Sequence, residues 1–478
     1  MKFNKIVALA LALVMVFALC ACGSQPAAEQ TQAPAAEESK APAEETPAAA
    51  EDTITVMVPP VTGTYLDDID KWAAEFTEMY PNLHIEVIKT SWDDHNSKLS
   101  TMATSGEAPD IAEVSYSTIG SLVELGVGVE IADYMDADRL ADYDQNAMDY
   151  MSIEGKAYGL PLYITIQSLG ANREMLEAAG ADVAKIQSEG WTYEEFLEIL
   201  KAGTTSDCFG FVFANSGVTA SDVPNIMGVM AGLTNAFTDD LKYAFTSDNM
   251  LNLLNAIEEM TKAGYMPNYG VEAGQRMVMC QQGKAMIFGK AMPLFENNIN
   301  KNNAALEAND GTAVENSIAL TYAFLPMPHM DGVQEACFGS VDGLVALRNN
   351  NTTDEHLKNV CLFLDYLCSG DRAAAVDSTL LLDPVCQSGR DVYANYAPEG
   401  LDEGNVACAA REIGLVVAPP AGITAEQSAN AKIIMDEVIV PKFQSLLAGE
   451  ATAQEVFDAI NEKAVELFGA DGIVTGLL

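Results

Sequence analysis

The chain has 478 residues, of which 49% are hydrophobic, so it is long enough to form two or three compact units with buried cores. Asp and Glu number 69 against 25 Lys and Arg, which gives a formal net charge of −44. This acidity argues against nucleic acid and anionic membrane surfaces as partners. It is typical of a protein that stays soluble outside the cell, and a preference for cationic ligands is the alternative interpretation.

The N-terminus has the pattern of a secretory signal. Lys2 and Lys5 precede an apolar run over residues 6–19, which is too short for a permanent transmembrane helix. Residues 19–24 read LCACGS, which resembles the bacterial lipobox with Cys22 as the modified cysteine. We therefore predict that residues 1–21 are a lipoprotein signal peptide. Lipidation of Cys22 would then anchor the protein to the outer face of the bacterial cytoplasmic membrane, in the extracellular space.

Residues 22–52 hold the predicted lipidated cysteine and a segment of mainly Ala, Pro, Glu, Gln and Thr. The segment cannot bury enough apolar surface to offset its ordering entropy, so we predict a disordered stalk.

Cysteines beyond Cys22 are odd in number and form no CxxC pair. They are Cys208, Cys280, Cys337, Cys361, Cys368, Cys386 and Cys408. We interpret them as small core residues, since Cys361 and Cys368 share the apolar face of a helical pattern. A disulfide or a metal site is the open alternative in an exported protein.

Alternating strand and helix patterns begin at Thr53. Apolar strand patterns occupy residues 54–58 and 84–88, and a third apolar segment starts at Ile111. Helical patterns over residues 67–80 and 94–105 separate them. This order predicts a βαβαβ unit with a parallel sheet, in which ligands bind outside the carboxyl ends of the strands.

Residues 157–165, with the sequence AYGLPLYIT, form a short apolar run interrupted by Gly159 and Pro161. Pro161 removes a backbone donor and Gly159 relaxes φ, so a regular central strand is not expected. We predict a strand that changes partners midway, with its first half in one domain and its second half in another.

Several short motifs follow one another in a recognisable order. They are SWDD at 91–94, SGEAPDI at 105–111, YGLP at 158–161, NREMLEAAG at 172–180, WTYEEF at 191–196, QGKAM at 282–286 and GSVDG at 339–343. Their order behind a lipobox resembles the family 1 extracellular solute-binding proteins, the capture subunits of ABC importers, whose structural group includes maltose-binding protein. The resemblance implies an α/β, two-lobed periplasmic-binding-protein-like fold with three interlobe crossings (type II topology).

The same resemblance implies a domain organisation and a function. Lobe one would comprise residues 53–163 plus 336–382, and lobe two residues 164–335 plus 383–478. The protein would be a monomer that captures a mono- or oligosaccharide by hinge closure and delivers it to ABC permease subunits.

Catalytic signatures are missing from the sequence. HExxH, GxSxG, P-loop and metal-spaced motifs do not occur, and only four histidines are present. We interpret His84 and His356 as structural residues. The sequence thus predicts a binding protein that is not an enzyme and has no cofactor and no metal.

Ligand-binding residues are expected at strand ends and in loops that face the other lobe. Sugars bind to aromatic faces and to planar polar groups. We therefore selected polar and aromatic side chains, using their position relative to the family motifs. The predicted residues are Thr62, Tyr65, Trp92, Glu113, Tyr116, Ser117, Tyr163, Thr165, Gln167, Lys290 and Asp342. Asp110 is predicted to brace its own turn instead.

One segment departs from the family pattern. Residues 289–293 read GKAMP, so Lys290 stands where sugar binders often place aromatic residues. A non-sugar solute such as a polyamine, a phosphodiester or a peptide is therefore an alternative ligand. Two further alternatives are a surface adhesin and a glycoside hydrolase, for which Glu113 and Asp342 would be the carboxylate pair.

Overall fold

The computed structural model describes residues 50–396, 400–420 and 422–478. The predicted signal peptide, Cys22 and nearly all of the predicted stalk lie outside these residues. The strands are β1 (Asp52–Val58), β2 (Leu83–Lys89), β3 (Ile111–Ser115), β4 (Ser152–Ile153), β5 (Lys156–Ala157), β6 (Gly159–Asn172), β7 (Phe209–Val212), β8 (Ala285–Ala291), β9 (Tyr322–Leu325) and β10 (Phe338–Ala346).

Helices cover both sides of the sheet and fill the connections. They are α1 (Tyr65–Met79), α2 (Trp92–Ser105), α3 (Tyr116–Glu124), α4 (Ala137–Leu140), α5 (Gln145–Tyr150), α6 (Arg173–Ala178), α7 (Val183–Glu189), α8 (Tyr193–Gly203), α9 (Val223–Ile226), α10 (Asp248–Lys262), α11 (Ala273–Gln281), α12 (Phe295–Ala308), α13 (Asp354–Cys368), α14 (Gly370–Leu380), α15 (Gln387–Val392), α16 (Glu403–Ile413), α17 (Ala425–Ile434), α18 (Val440–Leu447) and α19 (Ala453–Phe468). A π-helical turn, Met435–Ile439, joins α17 to α18.

The predicted βαβαβ opening is confirmed. β1 pairs in parallel with β2 along its whole length and with β3 at Val56 and Met57. α1 buries Ile69, Trp72 and Phe76 because their spacing of three and four residues places them on one helix face.

β6 changes partners along its length, as the sequence predicted. Residues 159–167 pair with β10, whereas residues 168–172 pair with β8 and β9. The sheet order is β2-β1-β3-β10-β6-β8-β7, with β9 also on β6. We call the part built around β1, β2 and β3 lobe one, and the part built around β7, β8 and β9 lobe two. The residue boundaries of the lobes stay a prediction.

Gly159 is required for a different reason from the one predicted. It is not among the residues with positive φ, so conformational freedom does not explain it. A Cβ at this position would lie 2.3 Å from the backbone oxygen of Leu344 in β10. The pairing of β6 with β10 is also irregular nearby: Asp342 pairs with Tyr163, but the next residue, Gly343, pairs with Pro161. The glycine therefore permits close contact of two strand backbones beside an irregularity.

Each lobe has its own hydrophobic core. In lobe one, α1 and α13 pack on one sheet face, and α2 and α3 on the other. Lobe two is organised around Phe196, Phe211 and Ile257, and α19 contributes Ile460 and Ala464 to this core.

The seven cysteines beyond Cys22 are all buried and carry free thiols, so their interpretation as core residues is confirmed. Burial in apolar surroundings raises the pKa of Cys361 to about 12. Its thiol therefore stays protonated at neutral pH.

Side-chain hydrogen bonds fix two local structures, of which the brace at Asp110 was predicted. Thr192 and Glu195 form a capping box at the start of α8. Asp110 braces its turn, because its carboxylate accepts from the Thr55 amide at 2.8 Å and from the Asn349 side chain at 3.2 Å. His356 Nε2 lies 3.0 Å from the same carboxylate, and this contact, together with Asp52, raises the pKa of His356 to about 9. The structural interpretation of His356 agrees with these contacts.

Among the described residues, the helices are all too short or too polar to cross a lipid bilayer.

Candidate functional site

A row of polar side chains crosses the sheet where the two lobes meet. Ser115 of β3, Asp342 of β10 and Tyr163 of β6 are paired in register across three adjacent strands. Because side chains alternate along a strand, Glu113 and Ser340, two residues away, lie on the same face. The hydroxyls of Ser115 and Ser340 are 3.3 Å apart. The connecting strands thus carry a polar face in an otherwise apolar sheet.

Glu113 lies at the centre of this face. Its side chain is 1% exposed, and its Oε1 accepts a hydrogen bond from the Tyr163 hydroxyl at 2.9 Å. Its Oε2 is buried without a hydrogen-bond partner in the described structure. Burial, together with the nearby Asp342 carboxyl, raises the pKa of Glu113 well above its usual value, although the Tyr163 hydroxyl opposes this shift.

Asp342 is the second carboxyl of the face. Burial raises the pKa of Asp342 to about 6, while the Ser115 hydroxyl, the Lys290 charge and the Tyr163 hydroxyl all lower it. Glu113 lies diagonal to Asp342 on the neighbouring strand, within reach for side-chain interaction. The two carboxyls therefore influence each other's ionisation.

Lys290, in β8 of lobe two, lies near the same polar face. Its ammonium forms an ion pair with Asp222. Its backbone has φ +53°, a left-handed conformation that is rare inside a strand. The carbonyl of Lys290 accepts from Arg276 Nη2 at 2.8 Å, which holds this conformation. Strained backbone of this kind concentrates at functional sites.

Aromatic residues border the polar face on the lobe-one side. Tyr65 is 1% exposed and packs edge-on against Trp72, with ring centroids 6.1 Å apart. It is the first residue of α1, whereas the predicted ligand-binding residues were expected at strand ends and in loops. Tyr116 meets the Tyr150 ring at 5.1 Å, and burial together with Asp342 raises the pKa of Tyr116 to about 12.

Trp92 is 50% exposed at the first position of α2. Its Nε1 donates to the Pro60 carbonyl at 3.0 Å, which ties the ring to the loop after β1 that carries Thr62. Thr62 is partly exposed, and Ser117 is exposed at the start of α3. These three residues form an accessible rim and are not among the groups joined to Glu113 or Asp342.

Thr165 and Gln167 continue the polar face toward lobe two. The Thr165 hydroxyl donates to the Ser340 carbonyl at 3.2 Å. Gln167 Oε1 is buried without a partner in the part of the chain that the structure describes. A carboxyl oxygen of Glu113 and the amide oxygen of Gln167 on this face therefore both lack a hydrogen-bond donor.

Sequence reasoning missed Ser115, Ser340, Asp222 and Arg276. The alternation of Ser340 and Asp342 in β10 is a signal that could have identified Ser340. Asp222 gives no local signal, because it is 68 residues from Lys290 in sequence and meets it only through the fold.

The two lobes also touch through a pair of helices. Gly120 of α3 faces Ser428 of α17 so closely that a Cβ on Gly120 would lie 2.4 Å from the Ser428 Cβ. Ala425 of α17 packs against the lobe-one core. The Tyr150 hydroxyl donates to the Val417 carbonyl at 3.4 Å. The structure therefore holds the lobes in contact beside the polar face.

A cavity of about 490 Å³ lies beside the connecting segment 382–385 and reaches Ile164, between Tyr163 and Thr165 in β6. Its lining includes Ile164, Ile413 and Tyr393, and the ion pair of Asp144 with Arg390 at 2.8 Å. None of the predicted ligand-binding residues lines it. We favour the polar face, because convergent polar groups with shifted pKa values mark a site better than volume does.

Metal binding has no support in the described residues, where no three His, Cys, Asp or Glu side chains group in a way that could hold an ion.

A family model described as bacterial extracellular solute-binding protein matches residues 71–387. Among curated relatives, a putative binding protein of Brucella abortus is 26% identical over 141 residues, covering 27% of this chain and 34% of that protein. A lipoprotein of Streptomyces antibioticus, uncharacterized and encoded in the oleD 5′ region, is 24% identical, with coverage of 28% and 30%. The maltodextrin-binding protein MdxE of Bacillus subtilis is 22% identical, with coverage of 37% and 45%. The matches thus cover between 30% and 45% of the length of these relatives.

Solved structures are similar over nearly their whole length. The ABC substrate-binding protein Lmo0181 of Listeria monocytogenes, in complex with cycloalternan, superposes with a TM-score of 0.66 at 15% identity. The match covers 88% of this chain and 99% of that one. A solute-binding protein of Thermotoga lettingae bound to α-D-tagatose gives a TM-score of 0.65 at 19% identity, with coverage of 88% and 100%. At these identities the similarity establishes the two-lobed α/β fold.

Proposed function

This chain belongs to the bacterial extracellular solute-binding proteins, and we propose that it captures a carbohydrate, a mono- or oligosaccharide, for an ABC transporter. The observation that carries the proposal is the polar face between the lobes, where Glu113, Tyr163 and Asp342 meet Lys290 of lobe two. A solute bound there contacts both lobes at once. It therefore stabilises the closed state by its differential affinity for that state.

Proteins with a similar fold support a carbohydrate as the class of solute. Structures with this architecture hold cycloalternan and α-D-tagatose, and MdxE is a maltodextrin-binding protein. Polar groups that fix hydroxyls and aromatic rings that cover C–H faces are both present around the face described above. Trp92 and Ser117 on its rim offer a stacking surface and a hydroxyl.

The binding role is tested by a thermal-shift screen of the folded part, residues 50–478, against sugars, oligosaccharides, polyamines, amino acids and peptides. A ligand that binds only the folded state raises the melting temperature by mass action. We expect a shift with one sugar class. A shift confined to amino acids or peptides would contradict the carbohydrate class, and no shift with any compound would favour the adhesin alternative.

Trp92→Ala should weaken binding of the sugar found in that screen by about 1 kcal/mol, or roughly fivefold in Kd. The fold should persist, because the ring is half exposed and its removal leaves no core cavity. Isothermal titration calorimetry measures the affinity, and the melting temperature of the free protein is the control. An unchanged Kd would show that Trp92 does not contribute to sugar binding.

We further propose that the mature chain is a lipid-anchored monomer on the outer face of the cytoplasmic membrane and delivers its solute to permease subunits. The lipobox pattern at Cys22 and the similarity to a Streptomyces lipoprotein support the anchor.

Cys22→Ser should release the protein from the membrane, because the acyl chains attached at that position provide the anchor. Membrane and soluble fractions are compared by immunoblot, with Cys20→Ser as the matched control. Continued membrane association of the Cys22→Ser protein would contradict the lipobox assignment.

A further inference from the structure

We propose that the cavity beside the connecting segment 382–385 is a second ligand site, which takes an organic ammonium ion with an apolar body. The site is separate from the polar face. Ile164 lines the cavity, and its side chain leaves β6 on the face opposite to Tyr163 and Thr165, because side chains alternate along a strand. A ligand in the cavity therefore adds to the proposed function and does not replace it.

The cavity lies where lobe one meets a helix of lobe two. On the lobe-one side are α5, α15 and the connecting segment, whose Leu382 and Cys386 belong to the lobe-one core. On the other side is Ile413 at the end of α16, a helix that packs Cys408 and Ala409 against β8 and β9. The volume of about 490 Å³ falls in the range of about 300–1,000 Å³ that is usual for small-molecule pockets.

Apolar side chains form one part of the lining. They are Ile164, Leu382, Pro384, Val385 and Ile413. Ile413 is 38% exposed, so part of this apolar surface is in contact with water. A ligand that covers it removes apolar area from water, which favours binding. This part of the lining therefore calls for a ligand with an apolar body.

Charge on the polar part of the lining is not balanced. Asp144 and Arg390 form a bidentate ion pair, with Nη1 at 2.8 Å from Oδ2 and Nη2 at 3.0 Å from Oδ1. Arg390 Nη1 also donates to the Pro384 carbonyl at 2.9 Å. Asp383 is exposed, and within the described residues its carboxylate has neither an ion pair nor a side-chain hydrogen bond. Exposed Asp side chains are ionised at neutral pH, so one negative charge of the lining lacks a protein cation.

Tyr393 adds an aromatic ring and a hydroxyl to the lining. Burial, followed by the carboxyls of Asp383 and Asp377, raises the pKa of Tyr393 to about 12. The Tyr393 hydroxyl is therefore within electrostatic reach of the Asp383 carboxylate. Cations are attracted to carboxylates and to the faces of aromatic rings. An ammonium group on an apolar body thus matches both parts of the lining.

The test compares tryptamine, tryptophol and indole-3-propionate by isothermal titration calorimetry with the purified protein at neutral pH. The three probes share an indole ring on a two-carbon chain and end in an ammonium, a hydroxyl or a carboxylate. Physiological salt screens the long-range attraction of an acidic protein for cations. We expect tryptamine to bind at least tenfold more tightly than the other two. Spermidine, an amine without an apolar ring, should bind at least tenfold more weakly than tryptamine.

Variants then assign the effect to the cavity. Asp383→Asn keeps the side-chain shape and removes the charge, so tryptamine binding should fall at least tenfold while tryptophol binding stays within threefold. Ile413→Trp enlarges an exposed side chain of the lining and should weaken both probes at least tenfold by filling the cavity. Asp391→Asn is the matched control, because Asp391 is exposed in α15 and does not line the cavity. It should leave both affinities unchanged, and the melting temperature verifies the fold of each variant.

Four results would overturn the inference. Equal binding of tryptamine and tryptophol would show that the ammonium is not recognised, and equal binding of spermidine would show that charge alone is sufficient. A loss in Asp391→Asn as large as that in Asp383→Asn would indicate general attraction of cations to an acidic surface. Absence of binding by all four probes would contradict the ammonium site. The proposed capture of a carbohydrate stands in each case, because the sugar screen tests it separately.

Discussion

Gly120→Ala should prevent full closure of the two lobes and weaken solute binding about tenfold. The added Cβ would lie 2.4 Å from the Ser428 Cβ and 3.7 Å from the Ala425 carbonyl, both in α17. Overpacking of this kind costs about 1–3 kcal/mol, and each 1.4 kcal/mol taken from the closed state lowers the affinity tenfold. The lobe-one fold is preserved, because the clash is with the other lobe.

Small-angle X-ray scattering should report a larger radius of gyration for Gly120→Ala than for the wild-type protein, and calorimetry the weaker binding. The matched control combines Gly120→Ala with Ser428→Gly, which removes the Cβ that opposes the new methyl group. This double variant should recover both closure and affinity. If the single variant closes and binds as the wild type does, the contact of α3 with α17 does not limit closure.

Gly159→Ala should lower the free energy of unfolding by about 3 kcal/mol or more, because the added methyl group would overlap the backbone of the paired strand. The Cβ would lie 2.3 Å from the Leu344 oxygen and 2.8 Å from the Val345 Cα, which are backbone atoms of the paired strand. Backbone cannot swing aside as a side chain does, so relief requires separation of β6 from β10. That separation would also disturb the register that aligns Tyr163 with Asp342.

Urea unfolding followed by circular dichroism measures this loss. Gly274→Ala in α11 is the control, since a Cβ there meets no atom within 4 Å. Alanine favours a helix over glycine, so the control should be unchanged or more stable by up to about 1 kcal/mol. A Gly159→Ala protein as stable as the control would show that the two strands can move apart without loss.

Much of the fold followed from local patterns. The spacing of Ile69, Trp72 and Phe76 identified α1, and alternation identified β2, because burial of one face imposes a period on the sequence. Gly159 and Pro161 identified the strand that changes partners. The reason given for the glycine was wrong, however, because close contact with Leu344 depends on a strand more than 180 residues away.

The candidate site was also predicted only in part from the sequence. Family motifs and strand ends selected Glu113, Tyr163, Lys290 and Asp342, and the structure brings these four into one polar cluster. Their role in binding a solute stays a prediction. Thr62, Trp92 and Ser117 were selected by the same reasoning and occupy the rim, since position at a strand end does not fix where a side chain points.

The sequence by itself determined that this is an acidic α/β chain with a partner-switching strand, since charge, hydrophobic period and turn residues act locally. Tertiary structure alone decided that Glu113 keeps an unpaired oxygen, that Lys290 is committed to Asp222, and that Gly120 faces Ser428. These contacts join residues that are 68 or more positions apart. Gly120 meets Ser428 because the two lobes pack against each other, whereas Lys290 meets Asp222 within lobe two, and no local periodicity encodes either contact.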